Sequence, residues 1–284
     1  MSDLTYLQSV ILGVVEGLTE FLPVSSTAHL TITEKLMGLE VDAPEVTAYT
    51  AIIQLGAIAA TFVYFFRDIV RLVAAWGRGL VSAEAREHQD YWLAWAVIFG
   101  SIPVAVVGFA LRDLIAGPLR SLWVVAVALI LWSGVMWLAE ARHAKLSREE
   151  LVRGEGRVGV RDGIVIGLVQ CFSLVPGVSR SGATISAGLF RGIDRVTATR
   201  LSFFLAIPAL TAAGVFEAAT TDLSSLGTGQ MAVGVLVAFV VAYASIAWLL
   251  RFVATNTLMP FVWYRVALGT VLVAALATGV LAAT

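Results

Sequence analysis

Charge is scarce in this chain. Only 14% of its 284 residues are Asp, Glu, Lys or Arg, against roughly a quarter in a soluble domain, which excludes an ordinary water-exposed globule. Cysteine is nearly absent too: Cys171 stands alone, so an internal disulfide is excluded. A lone thiol in an apolar segment reads as a small hydrophobe rather than a nucleophile. Long polar stretches are missing, which excludes a sizeable soluble domain; the nearest candidate, 140–161, reads as a loop between two halves. Lys and Arg are absent from the first residues and no small-residue cleavage site follows the first apolar run, so a cleaved signal peptide is not expected. The net charge of −1 says nothing about partners, and no nucleic-acid partner is expected.

Hydrophobic residues make up 59% of the chain, in runs of about 20, the length that crosses a bilayer core. Six stretches read as complete transmembrane helices: 46–66, 91–111, 118–139, 196–217, 229–251 and 262–283. Two further segments, 5–33 and 162–190, are long enough to cross but break into loops rich in Pro, Gly, Ser and Thr. Broken backbone at membrane depth survives only inside protein or beside a water-filled cavity. Ionisable groups in such segments are costly, and a functional role is their default reading.

The two broken segments resemble each other. Gly13-Val-Val-Glu16 aligns with Gly167-Leu-Val-Gln170, and Val24-Ser25-Ser26 with Val178-Ser179-Arg180, at a constant offset of 154 residues. The spans that follow do not extend the match convincingly. Basic residues decide what the breaks do, because cytoplasmic loops are enriched in Lys and Arg. They gather at 67–90 (Arg67, Arg71, Arg78, Arg86), at 140–161 (Arg142, Lys145, Arg148, Arg153, Arg157, Arg161) and at 191–200 (Arg191, Arg195, Arg200). By contrast, 217–228 has none and 34–45 has only Lys35. All three basic stretches fall on one face only if each broken segment enters and leaves on the same side. Three full crossings per half then make the halves an inverted repeat, with one re-entrant loop dipping from each face and the two meeting near the midplane. The expected fold is a single all-α integral membrane domain over 1–284: six transmembrane helices plus two re-entrant helix–loop–helix segments, in repeat halves 1–145 and 160–284.

The chemistry sits in the breaks. Arg180, in Pro176-Gly177-Val-Ser179-Arg180-Ser181-Gly182-Ala-Thr184, combines a charged fork with hydroxyls and backbone N–H groups ahead of a short helix, a pattern suited to phosphate. Its plainer role is to pair with Glu16 or Glu20 and hold the loops together. Gly177 and Gly182 allow close backbone approach. In the first break Glu16 and Glu20 share a helix face, and Ser26 and His29 share another if the second arm starts at Ser25 or Ser26. A hydroxyl beside an imidazole is a workable nucleophile and base. One of Ser25, Ser26 and Thr27 is expected merely to cap that arm. Two carboxylates beside a phosphate site repel each other. Either a divalent cation bridges them, with Mg²⁺ or Ca²⁺ suiting oxygen ligands, or one is protonated, or one orients His29. The residues leave these open.

Glu16-Gly-Leu-Thr-Glu20-Phe-Leu-Pro-Val-Ser-Ser-Thr-Ala-His29 and Pro176-Gly-Val-Ser-Arg-Ser-Gly-Ala-Thr184 resemble the two signature motifs of the bacterial undecaprenyl-pyrophosphate phosphatase family, the bacitracin-resistance BacA type. The similarity runs the length of the chain, including Ile53-Gln54-Leu55-Gly56-Ala57. It implies removal of the terminal phosphate from a C55 isoprenoid pyrophosphate carrier lipid, which recycles that carrier for envelope polymers. On that resemblance Glu16, Glu20, Ser26, His29 and Arg180 match the functional positions, with Ser25, Thr27 and Ser179 as supporting donors. Ala28 stands where some members have Gly.

The mechanism expected has Arg180, Ser179 and Ser181, aided by Gly177 and Thr184, holding the pyrophosphate. Ser26 attacks phosphorus with His29 as base, while Glu20 orients His29 or shares a cation with Glu16. Direct attack by water, with Ser26 only a donor, is the rival. A lipid-phosphate flippase or anion carrier is the alternative class, since inverted repeats with broken helices are the mark of secondary transporters. The setting expected is the bacterial cytoplasmic membrane, with the site open toward the periplasm and membrane lipid as surroundings; a homodimer stays open.

Overall fold

The computed structural model describes residues 4–41, 43–116, 118–149, 151–220 and 227–282. Among these the chain is helical, with no strand beyond a single bridge between Arg153 and Ile193. Apolar runs of this length dictate that outcome, because a helix satisfies its own backbone N–H and C=O groups where water cannot. In chain order the helices are α1 (Tyr6–Thr19), α2 (Ser26–Leu36), α3 (Pro44–Tyr64), α4 (Phe66–Val81), α5 (Gln89–Ala110), α6 (Arg112–Ala116), α7 (Leu122–Arg148), α8 (Val160–Gln170), α9 (Arg180–Phe190), α10 (Arg195–Thr220), α11 (Thr228–Thr255) and α12 (Met259–Ala277).

Six of these are long and apolar enough to cross a membrane: Glu45–Tyr64, Gln89–Ala110, Leu122–Arg148, Arg195–Gly214, Thr228–Thr255 and Met259–Ala277. The six expected spans each fall on one of them. Boundaries differ in several places, with α7 beginning at Leu122 rather than 118 and α12 ending at Ala277 rather than 283, and two differences have clear reasons. The stretch 67–90 is largely helix rather than loop. Phe65 turns the corner at φ −97°, pinned at zero exposure among Tyr64, Phe203 and Phe204. Helix α4 then runs on with Phe66, Val70 and Val73 exposed beside its charged residues. Helix α7 likewise continues through Arg148, because Glu140 and His143 face inward there and keep that end buried. Half of the base-free stretch 217–228, residues 221–226, lies outside the described residues.

Small residues set the closest packing. Helix α1 lies on α11 and α8 lies on α5, so each first arm of a broken segment packs against a span from the other half of the chain. A methyl group on Gly17 would sit 2.7 Å from the Ala238 carbonyl, and one on Gly167 only 1.9 Å from that of Gly100. Glycines four apart, Gly13 with Gly17 and Gly163 with Gly167, form the contact stripes in both cases. Such stripes let helix backbones approach where no hydrophobic effect drives association. Helices α3 and α11, and α7 and α12, complete the frame around the two breaks.

Charged residues gather in ion-pair clusters. Arg71 bonds Asp68, Asp90 and Glu155, while Arg200 reaches Asp68 and Glu155 at 2.8 and 2.9 Å. Arg153 and Arg191 both grip Asp162 at the start of α8, at 3.0 and 2.8 Å, and the Arg153 N–H donates to the Gly192 carbonyl. The two ends of the 160–191 segment are thereby tied together. Burial alone would push the Asp162 carboxyl up; Arg153, the Gly159 N–H and Arg191 overcome that and hold it below the usual carboxylate range. A depressed pKa contributes stability above the unfolded value near 3.9 and loses it as pH falls through the folded one. Asp162→Asn, which leaves two guanidiniums short of a partner, is expected to lower the thermal midpoint in detergent by roughly 5 °C or more at pH 7. The gap should narrow as pH falls below about 4; a constant gap would contradict this role.

Candidate active site

Both chain breaks are built alike. Helix α1 stops at Thr19, followed by the buried run Glu20-Phe21-Leu22-Pro23-Val24, and Ser25 starts α2. Helix α8 ends at Gln170, a short turn follows, and Ser179 starts α9. Ser25 and Ser179 are the only described non-glycine residues at positive φ, +77° and +75°. Each caps its helix, accepting from the N–H three residues on, Ala28 and Gly182 respectively. L-residues held at positive φ cost of order 1–2 kcal/mol, and such strain collects at functional sites. The sharp turn projects the next residue inward. In the first break that residue is Ser26, and at the same register in the second it is Arg180.

These two residues meet on one carboxylate. Ser26 Oγ donates to Glu20 Oε2 at 2.6 Å, and Arg180 Nη2 donates to Glu20 Oε1 at 3.2 Å. Arg180 is held by the Ser202 carbonyl at 3.1 Å and lies over the Phe21 ring. Among the described residues its Nε has no partner. Glu16, one turn before Glu20, is 1% exposed, within electrostatic reach of Glu20 and Arg180, and its Oε1 is also unpartnered. At the equivalent register Gln170 is equally buried, with neither amide atom satisfied. Buried polar atoms are satisfied in the great majority of cases, so these groups, like His143 and Trp132 elsewhere, are exceptions among the described residues, and on the breaks they leave polar capacity free for a ligand.

His29 stands slightly apart. Its Nδ1 lies 2.7 Å from the Ser25 carbonyl and its Nε2 2.7 Å from the Tyr264 hydroxyl, with the two rings stacked. A carbonyl only accepts, so Nδ1 carries the proton and Nε2 accepts from Tyr264. The expected Ser26–His29 hydrogen bond is not among the bonds formed. The Ser26 hydroxyl turns to Glu20 instead, and Glu20 makes no bond to His29.

The remaining expected donors divide into two groups. Ser181 Oγ donates to the Leu22 carbonyl at 3.0 Å, which ties the second break to the first, and lies 3.1 Å from Ser179 Oγ. Thr184 Oγ1 sits 2.8 Å from the Arg180 carbonyl and 2.7 Å from Ser202 Oγ. Both side chains are buried and engaged with protein. Ser25 is buried as a cap, whereas Thr27 is exposed. Gly177 adopts φ +98° with its Cα against Val125 and Ala128 of α7, which is a packing role.

A family model described as bacitracin resistance protein BacA matches residues 9–271. The undecaprenyl-diphosphatase of Cutibacterium acnes is 52% identical over 99% of this chain and all of its own length. Undecaprenyl-diphosphatase 1 of Streptomyces avermitilis is 53% identical over 99% and 100%, and the undecaprenyl-diphosphatase of Acidothermus cellulolyticus 55% over 95% and 96%. The chain belongs to the BacA family.

Two residues of this BacA chain escaped the sequence reading. Tyr264 holds the far nitrogen of His29, and Arg265 lies wholly buried in the middle of the structure. A signal for Arg265 existed: it is the only charged side chain in the apolar run 259–277, the situation that flags function by default. Tyr264 carried none, since aromatic residues are common in membrane spans. Tyr264→Phe removes the donor to Nε2, while the Ser25 carbonyl keeps the proton on Nδ1, so the Nε2 ¹⁵N resonance is expected to move and the Nδ1 resonance to stay that of a protonated nitrogen. The ¹⁵N chemical shifts of the labelled ring read this directly; shifts identical to the unaltered protein would contradict the assignment.

Proposed function

We propose that this chain removes the terminal phosphate of undecaprenyl pyrophosphate, giving undecaprenyl phosphate and inorganic phosphate, and so recycles the lipid carrier of cell-wall synthesis and confers resistance to bacitracin. The relatives' names supply the substrate. The observation that carries the chemistry is the convergence of Ser26 and Arg180 on Glu20. The lipid substrate brings the pyrophosphate to Arg180, whose unpartnered Nε and fork geometry suit phosphate oxygens. Ser26 Oγ attacks the terminal phosphorus while its proton passes to Glu20, the acceptor it already bonds at 2.6 Å. The P–O bond to the bridging oxygen breaks and undecaprenyl phosphate leaves. Glu20 gives that proton up to the departing phosphate; water then hydrolyses the phosphoserine, its proton taken by the freed carboxylate and returned to Ser26 Oγ as inorganic phosphate leaves. Charge neutralisation and positioning supply most of the rate, as is general for phosphoryl transfer.

The geometry favours Glu20 over His29 as the base for Ser26. His29, anchored by Ser25 and Tyr264 at the partly exposed start of α2, is placed to orient the α2 arm and the entering lipid phosphate. A divalent cation fits at Glu16, whose buried Oε1 lacks a partner. Among the described residues no three metal-ligating side chains gather, so Mg²⁺ or Ca²⁺ held by Glu16 and Glu20 would draw its remaining ligands from phosphate oxygens and water. Bound there, it would screen the carboxylates from the pyrophosphate.

The same reading takes both broken segments as re-entrant arms of an inverted repeat, with the site opening to the periplasm. Three features support it. The ends of the second segment are tied by Asp162 and Arg191, the three basic stretches share one ion-pair network, and the strained serines recur at equal register. A flippase needs an anion site but no hydroxyl poised on a carboxylate, so the Ser26–Glu20 bond favours the phosphatase. Ser26→Ala is expected to lower phosphate release from a prenyl pyrophosphate in detergent micelles by about 10³-fold or more, and Glu20→Gln by about 10²–10⁴-fold. Acid quench of the active enzyme should trap phosphate on Ser26, detected by mass spectrometry. Substantial turnover by Ser26→Ala would sink the covalent route and leave direct attack by water.

A further inference from the structure

Arg265 takes no part in the chemistry above, yet it is the bulkiest fully buried side chain among the described residues, at 0% exposure in the apolar helix α12. All four of its described partners are neutral. Its Nε donates to Ser133 Oγ at 3.2 Å, Nη1 to the Pro23 carbonyl at 3.3 Å, and Nη2 to the carbonyls of Gly177 at 2.9 Å and Leu129 at 3.4 Å. Two of these carbonyls belong to the chain breaks. Pro23 and Gly177 stand at the same register, each three residues before the side chain its break contributes to the site, Ser26 in one and Arg180 in the other. One planar fork therefore holds equivalent points of both breaks at once.

We propose that Arg265 is a positioning residue for the phosphatase reaction: by clamping the Pro23 and Gly177 carbonyls it sets the separation of Ser26 from Arg180. The physical need is clear. Unwound segments expose carbonyls that no helix satisfies, and at membrane depth an unsatisfied carbonyl is strongly unfavourable. Separate donors for each would satisfy the backbone but leave the breaks free to shift against each other. A guanidinium presents its N–H groups in fixed relative geometry, so satisfying both carbonyls also fixes their spacing. Ser133 and Leu129, on neighbouring turns of α7, hold the fork itself in place. A shift of about 1 Å between reacting groups can cost on the order of 100-fold in rate, even when its origin lies away from the chemistry.

The inference rests on the phosphatase reading, and the test separates the two. Steady-state phosphate release from farnesyl pyrophosphate is measured for the purified full chain and for Arg265→Lys, which keeps the charge but replaces the rigid fork with one flexible ammonium. The expected result is a kcat roughly 100-fold lower with KM within about threefold of the unaltered enzyme, in protein whose helical circular dichroism and elution are unchanged. Restoration of full kcat by Lys would overturn the inference, because charge alone would then suffice; so would a loss confined to KM. Should Arg265→Lys not fold, Ser133→Ala removes one anchor of the fork while leaving both carbonyl bonds available. It is expected to lower kcat several-fold at constant KM, and an unchanged kcat overturns the inference. A wild-type chain that releases no phosphate would instead overturn the underlying phosphatase reading.

Discussion

Glu20 accepts hydrogen bonds from two chain breaks that lie some 160 residues apart in sequence, and the arrangement of the molecule follows from making that possible. A carboxylate at 6% exposure inside an apolar protein is unfavourable unless charged and hydrogen-bonded partners surround it. Arg180 supplies the opposite charge and Ser26 a short hydroxyl bond. Each comes from the first turn of a new helix that begins in the interior, just past a serine forced to positive φ. The strain, the broken backbone and the buried charges thus belong to one construction.

Support for that construction comes from outside the breaks. Glycine stripes on α1 and α8 let these arms press against α11 and α5. At the far end, Asp162 with Arg153 and Arg191 ties the two ends of the second segment. In the middle, Ser181 reaches the Leu22 carbonyl and Arg265 reaches both breaks. Unpartnered polar atoms remain on both breaks, Glu16 Oε1, Arg180 Nε and the Gln170 amide among them.

The helical frame was legible because membrane spans are written in composition: a run of about 20 apolar residues has few alternatives. The breaks were legible because Pro, Gly and ionisable groups have no other reason to interrupt such runs. The 154-residue register also held at atomic detail, in Ser25 and Ser179, in Ser26 and Arg180, and in the carbonyls of Pro23 and Gly177. Pairings across the site were harder. Spacing placed Ser26 and His29 on one helix face, but shared faces do not dictate where a hydroxyl points, and Glu20 competes for it through the turn of the chain. Tyr264 was invisible because its partner lies 235 residues away. Helix α4 was missed because basic residues on an amphipathic helix look like a loop when only charge is counted.

The central claim, that two distant breaks make one catalytic unit on Glu20, is tested most directly by a double-mutant cycle. kcat/KM for prenyl pyrophosphate hydrolysis is measured for Glu20→Gln, Arg180→Gln and the double variant. Groups acting as a unit are strongly non-additive, so the double variant should be little worse than the worse single one. A double variant whose loss equals the product of the two single losses would show that the breaks act independently, and would contradict the account.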